Sequence, residues 1–111
     1  MQDRKLASLG DAYINLVYSL ALTESQGQPQ GVKVSDRILA EAFKSAGLRN
    51  YLGTGVSRKD FANASEAILV DAYRKGLLSL DESVRIILDG NSFTAGIADL
   101  LKLCVERLTH L

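Results

Sequence analysis

Two carboxylates sit in stretches that otherwise read as core helix, and the residues around them suggest why. Asp11 follows Gly10 within "SLGDAYINLVYSLA", Ser8 to Ala21, and Glu66 lies within "FANASEAILVDAY", Phe61 to Tyr73. On a helix, Arg4, Ser8, Asp11, Asn15 and Tyr18 fall at steps of four, three, four and three, and so share one face. Lys59, Asn63, Glu66 and Tyr73 do the same in the second stretch, with Val70 as an apolar gap. Small residues flank both acids: Ala7, Gly10 and Ala12 on one side, Ala62, Ala64 and Ala67 on the other. Gly10 costs its helix roughly 1 kcal/mol relative to alanine, which a close approach of a second backbone would explain. Small side chains allow helix axes to pack toward the near end of the usual ~8–10 Å range.

If the two polar lines face each other, Asp11 and Glu66 meet at one spot. Two carboxylates that close resist joint ionisation unless a divalent cation lies between them. Oxygen donors without nearby His or Cys suit Mg²⁺ or Mn²⁺ better than zinc. The alternative is plainer: a mid-helix aspartate at an exposed edge, or one paired with Arg4 or Lys59.

Apolar spacing throughout is helical and the chain has one proline, Pro29, so the expected fold class is all-α, with about five helices. The first is expected over about residues 3–25, with Leu6, Leu9, Tyr13, Leu16, Val17 and Leu20 as its apolar stripe. It ends at the polar loop "SQGQPQG", Ser25 to Gly31. Ser35 reads as the N-cap of a second helix carrying Ile38, Leu39, Ala42, Phe43 and Ala46. Gly47 reads as its C-cap, with Leu48 behind it. After a break at "LGTGVS", Leu52 to Ser57, Ser57 caps a third helix running to Gly76, with Phe61, Ala64, Ile68, Leu69 and Ala72 inward. "SLDE", Ser79 to Glu82, has the form of a capping box and opens a short helix with Val84, Ile87 and Leu88. Asn91 or Ser92 caps the last helix, whose stripe of Ile97, Leu101, Cys104, Leu108 and Leu111 is widened by Leu100, Leu103 and Val105.

Length and composition fit this reading. The 111 residues suit a single domain over 1–111, and 47% hydrophobic with 23% charged residues is globular composition. Thirteen basic and thirteen acidic side chains cancel, so a polyanion would be held by a local patch, by metal ions or by an assembled dimer rather than by a global field. One cysteine, Cys104, excludes an internal disulfide and fits a reducing compartment as a buried structural thiol. With no leader-like segment and no long uncharged apolar stretch, the expected location is cytoplasmic, with no membrane partner.

Three segments carry a family resemblance. "LASLGDAYINLV", Leu6 to Val17, resembles the signature helix of the ribonuclease III family, whose core is Leu-Gly-Asp-Ala/Ser followed by apolar residues. "VSDRILAEAFKSAGLRNYLGTG", Val34 to Gly55, is similar to that family's next segment, where a Val-Ser, a Leu-Ala-Glu and a Gly-Leu-x-x-Tyr-Leu-x-x-Gly follow in this order. "FANASEAILVDAY" is similar to its third motif, Ala-Asp-x-x-Glu-Ala-Leu-Ile-Gly-Ala-x-Tyr. The matches span residues 4 to 77, and the chain most resembles the stand-alone archaeal members and, in economy, the bacterial Mini-III enzymes.

The resemblance implies the ribonuclease III endonuclease-domain fold and Mg²⁺-dependent (or Mn²⁺-dependent) hydrolysis of double-stranded or structured RNA by a homodimer. Asp11 and Glu66 take the positions of the family's metal-binding aspartate and glutamate. Arg4 and Ala7 stand where full-length members carry two further acids, and Asn63 replaces an aspartate; Mini-III enzymes also lack several of these. Asn63 would orient a ligand or a metal-bound water. Arg4 would contact phosphate or compete for Asp11, and Arg37, Arg58 and Lys59, with Lys33, would form a backbone-reading patch. Two other readings stay open. One is a non-catalytic ribonuclease III-fold dimer serving as an RNA-contacting scaffold. The other is a helical interaction module, suggested by the wide apolar face of the last helix.

Overall fold

A computed structural model describes residues 4–111. Its helices are α1 (Arg4–Gln26), α2 (Asp36–Ser45), α3 (Arg58–Arg74), α4 (Leu80–Asp89) and α5 (Phe93–Thr109), with one 3₁₀ turn at Arg49–Tyr51 between α2 and α3. No strand occurs among the described residues. The all-helical, five-helix expectation holds; the expected start of the first helix at residue 3 lies outside the described residues.

Serine starts four of the helices. Ser35, Ser57, Ser79 and Ser92 are the N-caps of α2 to α5, each side chain accepting from a backbone N–H three residues on. At α3 the cap is reciprocal, because Asp60 also accepts from the Ser57 backbone N–H. At α4 the Glu82 carboxylate is taken up mainly by Arg107, which donates to it twice at 2.8 Å. Helix α2 ends as expected at Gly47, whose φ of 77° lets its N–H reach the Lys44 carbonyl and the Leu48 N–H reach Phe43.

Helix α3 is central, packing against α1, α2 and α5, while α4 bridges α1 and α5. Phe43 and Phe61 meet at 5.5 Å between ring centres where α2 lies on α3. From α5, Ile97, Leu100, Leu101 and Cys104 are fully buried, and Leu103, Val105 and Leu108 are half-buried. The wide apolar face of α5 is thus largely core, which removes the main support for a separate interaction module.

Helix α1 departs from its expected orientation. Its buried face is Ala7, Gly10, Tyr13, Ile14, Val17 and Ala21. Leu9, Leu16 and Leu20 are 48%, 48% and 38% exposed. The helix is turned by roughly 75° from the face that maximises leucine burial, at about 100° per residue. The small side chains explain the turn. Ala7 and Ala21 share the buried face with Gly10, at which the α3 backbone lies directly against α1, and the leucines are left outside.

Candidate active site

The crossing of α1 and α3 is built on Gly10. A methyl group there would overlap the Glu66 carbonyl and come within 2.8 Å of Glu66 Cβ. No other residue type permits this approach without shifting a helix. Glu66 is brought beside Asp11, the residue following the glycine, and is only 5% exposed.

A second element then closes on Asp11. Between α1 and α2 the chain runs back along α1 as an extended strap, tied at every fourth helical residue. The Thr23 hydroxyl accepts from the Gln30 N–H and donates to the Gln30 carbonyl. The Ser19 hydroxyl does both with Val32, at 2.9 and 3.1 Å. The Asn15 Oδ1 accepts from the Val34 N–H at 2.8 Å. The match is one of pitch, since four helical residues advance about 6 Å and two extended residues about 6.7 Å. Val34 is buried in the core, and between Val32 and Val34 the Lys33 ammonium donates to both oxygens of Asp11, at 3.1 and 3.0 Å.

The electrostatics divide the two acids. Burial pushes Glu66 up to about 8, helped by its hydrogen bond to Asp11 and by the negative charges of Asp11 and Asp36. Burial works against Asp11 ionisation too, but hydrogen bonds from Glu66, Lys33 and Asn15 and the Lys33 charge outweigh it and hold Asp11 below its ordinary value. At neutral pH, Asp11 carries the charge and Glu66 carries the proton. The Lys33 ammonium is in turn held charged by its hydrogen bonds to Asp11.

The pair opens into a cleft of about 1250 Å³ between α1, α3 and the start of α2. All the residues singled out in the sequence for chemistry line it: Asp11, Glu66 and Asn63, and the basic Arg4, Arg37, Arg58 and Lys59. The two tyrosines of the polar lines leave it. Tyr18 packs edge-on against Phe93, and Tyr73 stacks on Tyr13 at 4.8 Å. Lys33 makes the ion pair that the simpler reading of Asp11 assigned to Arg4 or Lys59, while Lys59 lies 3.5 Å from Asp36. Asp36 and the ion pair of Lys33 with Asp11 were not singled out beforehand, and Asn15, expected on the polar line of α1, proves to accept from the Val34 N–H as well. The line Asp11, Asn15, Ser19 and Thr23, at uniform four-residue spacing, is the sequence signal for the strap.

Among the described residues no three His, Cys, Asp or Glu side chains gather as a metal cage. The Asp11 and Glu66 carboxylates are the paired donors available to a cation, and the Asn63 amide lines the same cleft. The carboxylates fit a hard ion such as Mg²⁺, which is commonly held by one or two carboxylates and keeps several waters. Burial is the main reason that Glu66 holds its proton, with the hydrogen bond to Asp11 and the charges of Asp11 and Asp36 adding to it.

These features define an all-helical domain with a carboxylate pair at a helix crossing and a basic-rimmed cleft beside it. A family model described as Ribonuclease III matches residues 4–108, nearly the whole chain, and the chain belongs to the ribonuclease III family. That family points to RNA as substrate and generally uses divalent metal ions. No curated protein matches the chain.

Proposed function

We propose that the chain is a divalent-cation-dependent endoribonuclease acting on double-stranded or structured RNA. The observation carrying this reading is the Asp11–Glu66 pair, brought together by a glycine that only a backbone-to-backbone contact explains. Asp11 and Glu66 are the anionic ligands, and Asn63 adds a neutral oxygen. A bound Mg²⁺ or Mn²⁺ would stabilise phosphate charge and acidify a water for attack.

The remaining roles belong to the chain's own side chains. Glu66 gives up its proton when the site is loaded, and Asn15 holds Asp11 in place. Arg4, Arg37, Arg58 and Lys59, all on the cleft, take phosphate oxygens. A-form duplex is read by shape and 2′-hydroxyls, so sequence preference is weak. The exposed stripe of Leu9, Ala12, Leu16 and Leu20 on α1 supports a two-fold homodimer that sets two acid pairs along one duplex.

A specific observation favours the second reading, a non-catalytic RNA-contacting scaffold: among the described residues no group of three His, Cys, Asp or Glu side chains is placed to hold a metal ion. One experiment separates the two, namely cleavage of a long RNA duplex with and without Mg²⁺, beside Asp11→Asn and Glu66→Gln. The enzyme reading requires metal-dependent cleavage that both substitutions abolish. Equal cleavage in every sample, or none in any, overturns it.

A further inference from the structure

We propose that Lys33 is a built-in cation latch on Asp11, which a divalent ion must displace to enter the site. The inference rests on the cation-site reading above and adds a residue that competes with the ion.

The argument is geometric. One ammonium donates to both carboxylate oxygens of Asp11, at 3.1 and 3.0 Å, and so uses the same oxygens that a cation would need. The latch is held from both sides. Val32 is tied through both of its backbone polar groups to Ser19, while Val34 is tied to Asn15 and buried in the core. The backbone of Lys33 is therefore fixed over Asp11, and only its side-chain rotamers are ordered when the latch closes. Asn15 joins the two parts, accepting from the strap with its oxygen and hydrogen-bonding Asp11. The Lys33 side chain is 73% exposed, so it can swing away without disturbing the core. Once displaced it remains on the cleft wall, where phosphate oxygens offer it a new partner. Ion entry and polyanion binding would then favour each other, as linkage requires of two ligands acting on one latch.

The test measures Mn²⁺ binding directly, by the electron paramagnetic resonance signal of free Mn²⁺ during titration with MnCl₂ and no RNA present. Wild type is compared with Lys33→Met, Lys33→Arg and Asp11→Asn. Thermal melting in chelator checks that each variant is folded. Lys33→Met is expected to bind Mn²⁺ about three- to tenfold more tightly than wild type, the scale of losing one exposed ion pair and its like-charge repulsion. Lys33→Arg, which keeps the charge, is expected to stay near wild type, and Asp11→Asn to lose the binding. Equal or weaker binding by Lys33→Met, with binding still lost in Asp11→Asn, overturns the latch and leaves the cation site standing. Absence of Asp11-dependent binding in both wild type and Lys33→Met overturns the cation site and the latch together.

Discussion

The α-carbon of Gly10 lies directly against the backbone of Glu66, so the residue that permits the α1–α3 crossing also delivers one acid of the pair. Stability and site geometry are therefore coupled at this position. A side chain here must push α3 away, and the shift falls on Glu66 itself.

Gly10→Ala is accordingly expected to be destabilising, although alanine is the better helix former by about 1 kcal/mol. Overpacking against backbone costs about 1–3 kcal/mol or more. The net effect is a fall in melting temperature of several degrees. Mn²⁺ affinity should fall with it even at temperatures where the variant is fully folded. A thermal melt and a Mn²⁺ titration on the same sample check both halves.

The proton on Glu66 gives the metal-free protein a distinctive pH response. Its carboxyl is raised from 4.5 to about 8 by burial and by its acidic neighbours. Between those values the folded state binds more protons than the unfolded state, so stability falls as pH rises. Asp11 has the opposite shift, but its contribution is lost only on acidification below its unfolded value of 3.8, outside this window. Melting in chelator should therefore show wild type losing stability from pH 5 to about pH 8, while Glu66→Gln stays flat and becomes the more stable of the two at the upper end. A saturating divalent cation should remove the wild-type decline, because the ion replaces the proton.

The parts of this molecule legible in its sequence are those set by local chemistry. Serine caps, the Gly47 ending and the helical period placed all five helices to within a few residues. The two polar lines located the acids and, among the basic residues of the cleft, Arg4 and Lys59, because a shared helix face needs only spacing; Arg37 and Arg58 lie on neither line. The orientation of α1 was hidden, since leucines at helical spacing outweigh Ala7, Gly10 and Ala21 on any hydrophobic criterion; the deciding contact belongs to α3. The strap was only half legible: the four-residue spacing of Asn15, Ser19 and Thr23 marks its helix side, but its partners are not marked. Its hydrogen bonds join Asn15, Ser19 and Thr23 to backbone groups of a loop, and backbone groups carry no residue identity to read.

Arg107 anchors the opposite end of the fold. It donates to both Glu82 oxygens at 2.8 Å and to the Leu77 carbonyl at 2.7 Å, joining α5 to α4 and to the loop before it. Replacing it with methionine leaves that carbonyl without this donor. A loss of about 1–2 kcal/mol is expected in urea denaturation at pH 7. Glu82 is held below its ordinary value mainly by its hydrogen bonds with Arg107. Its contribution is present above the unfolded value of 4.5 and disappears as pH falls through the folded value, so the gap between wild type and variant should narrow in acid.

The leucines displaced by the turn of α1 supply the last prediction. Leu9, Leu16 and Leu20 are exposed on one side of α1, and Ala12 is exposed between the first two, so no large side chain interrupts the patch. A stripe at steps of three and four along a helix is the pattern that a second helix packs against. In a two-fold dimer each copy of the stripe meets itself, so one introduced charge appears twice and faces its own image. Leu16→Glu, at the centre of the stripe, is expected to turn a micromolar dimer into a monomer by sedimentation velocity. Because Leu16 lies outside the core, its melting temperature should then cease to depend on protein concentration while its helical content is unchanged. A wild-type protein that sediments as a monomer at micromolar concentration would rule out this use of the stripe, and with it two acid pairs acting along one duplex.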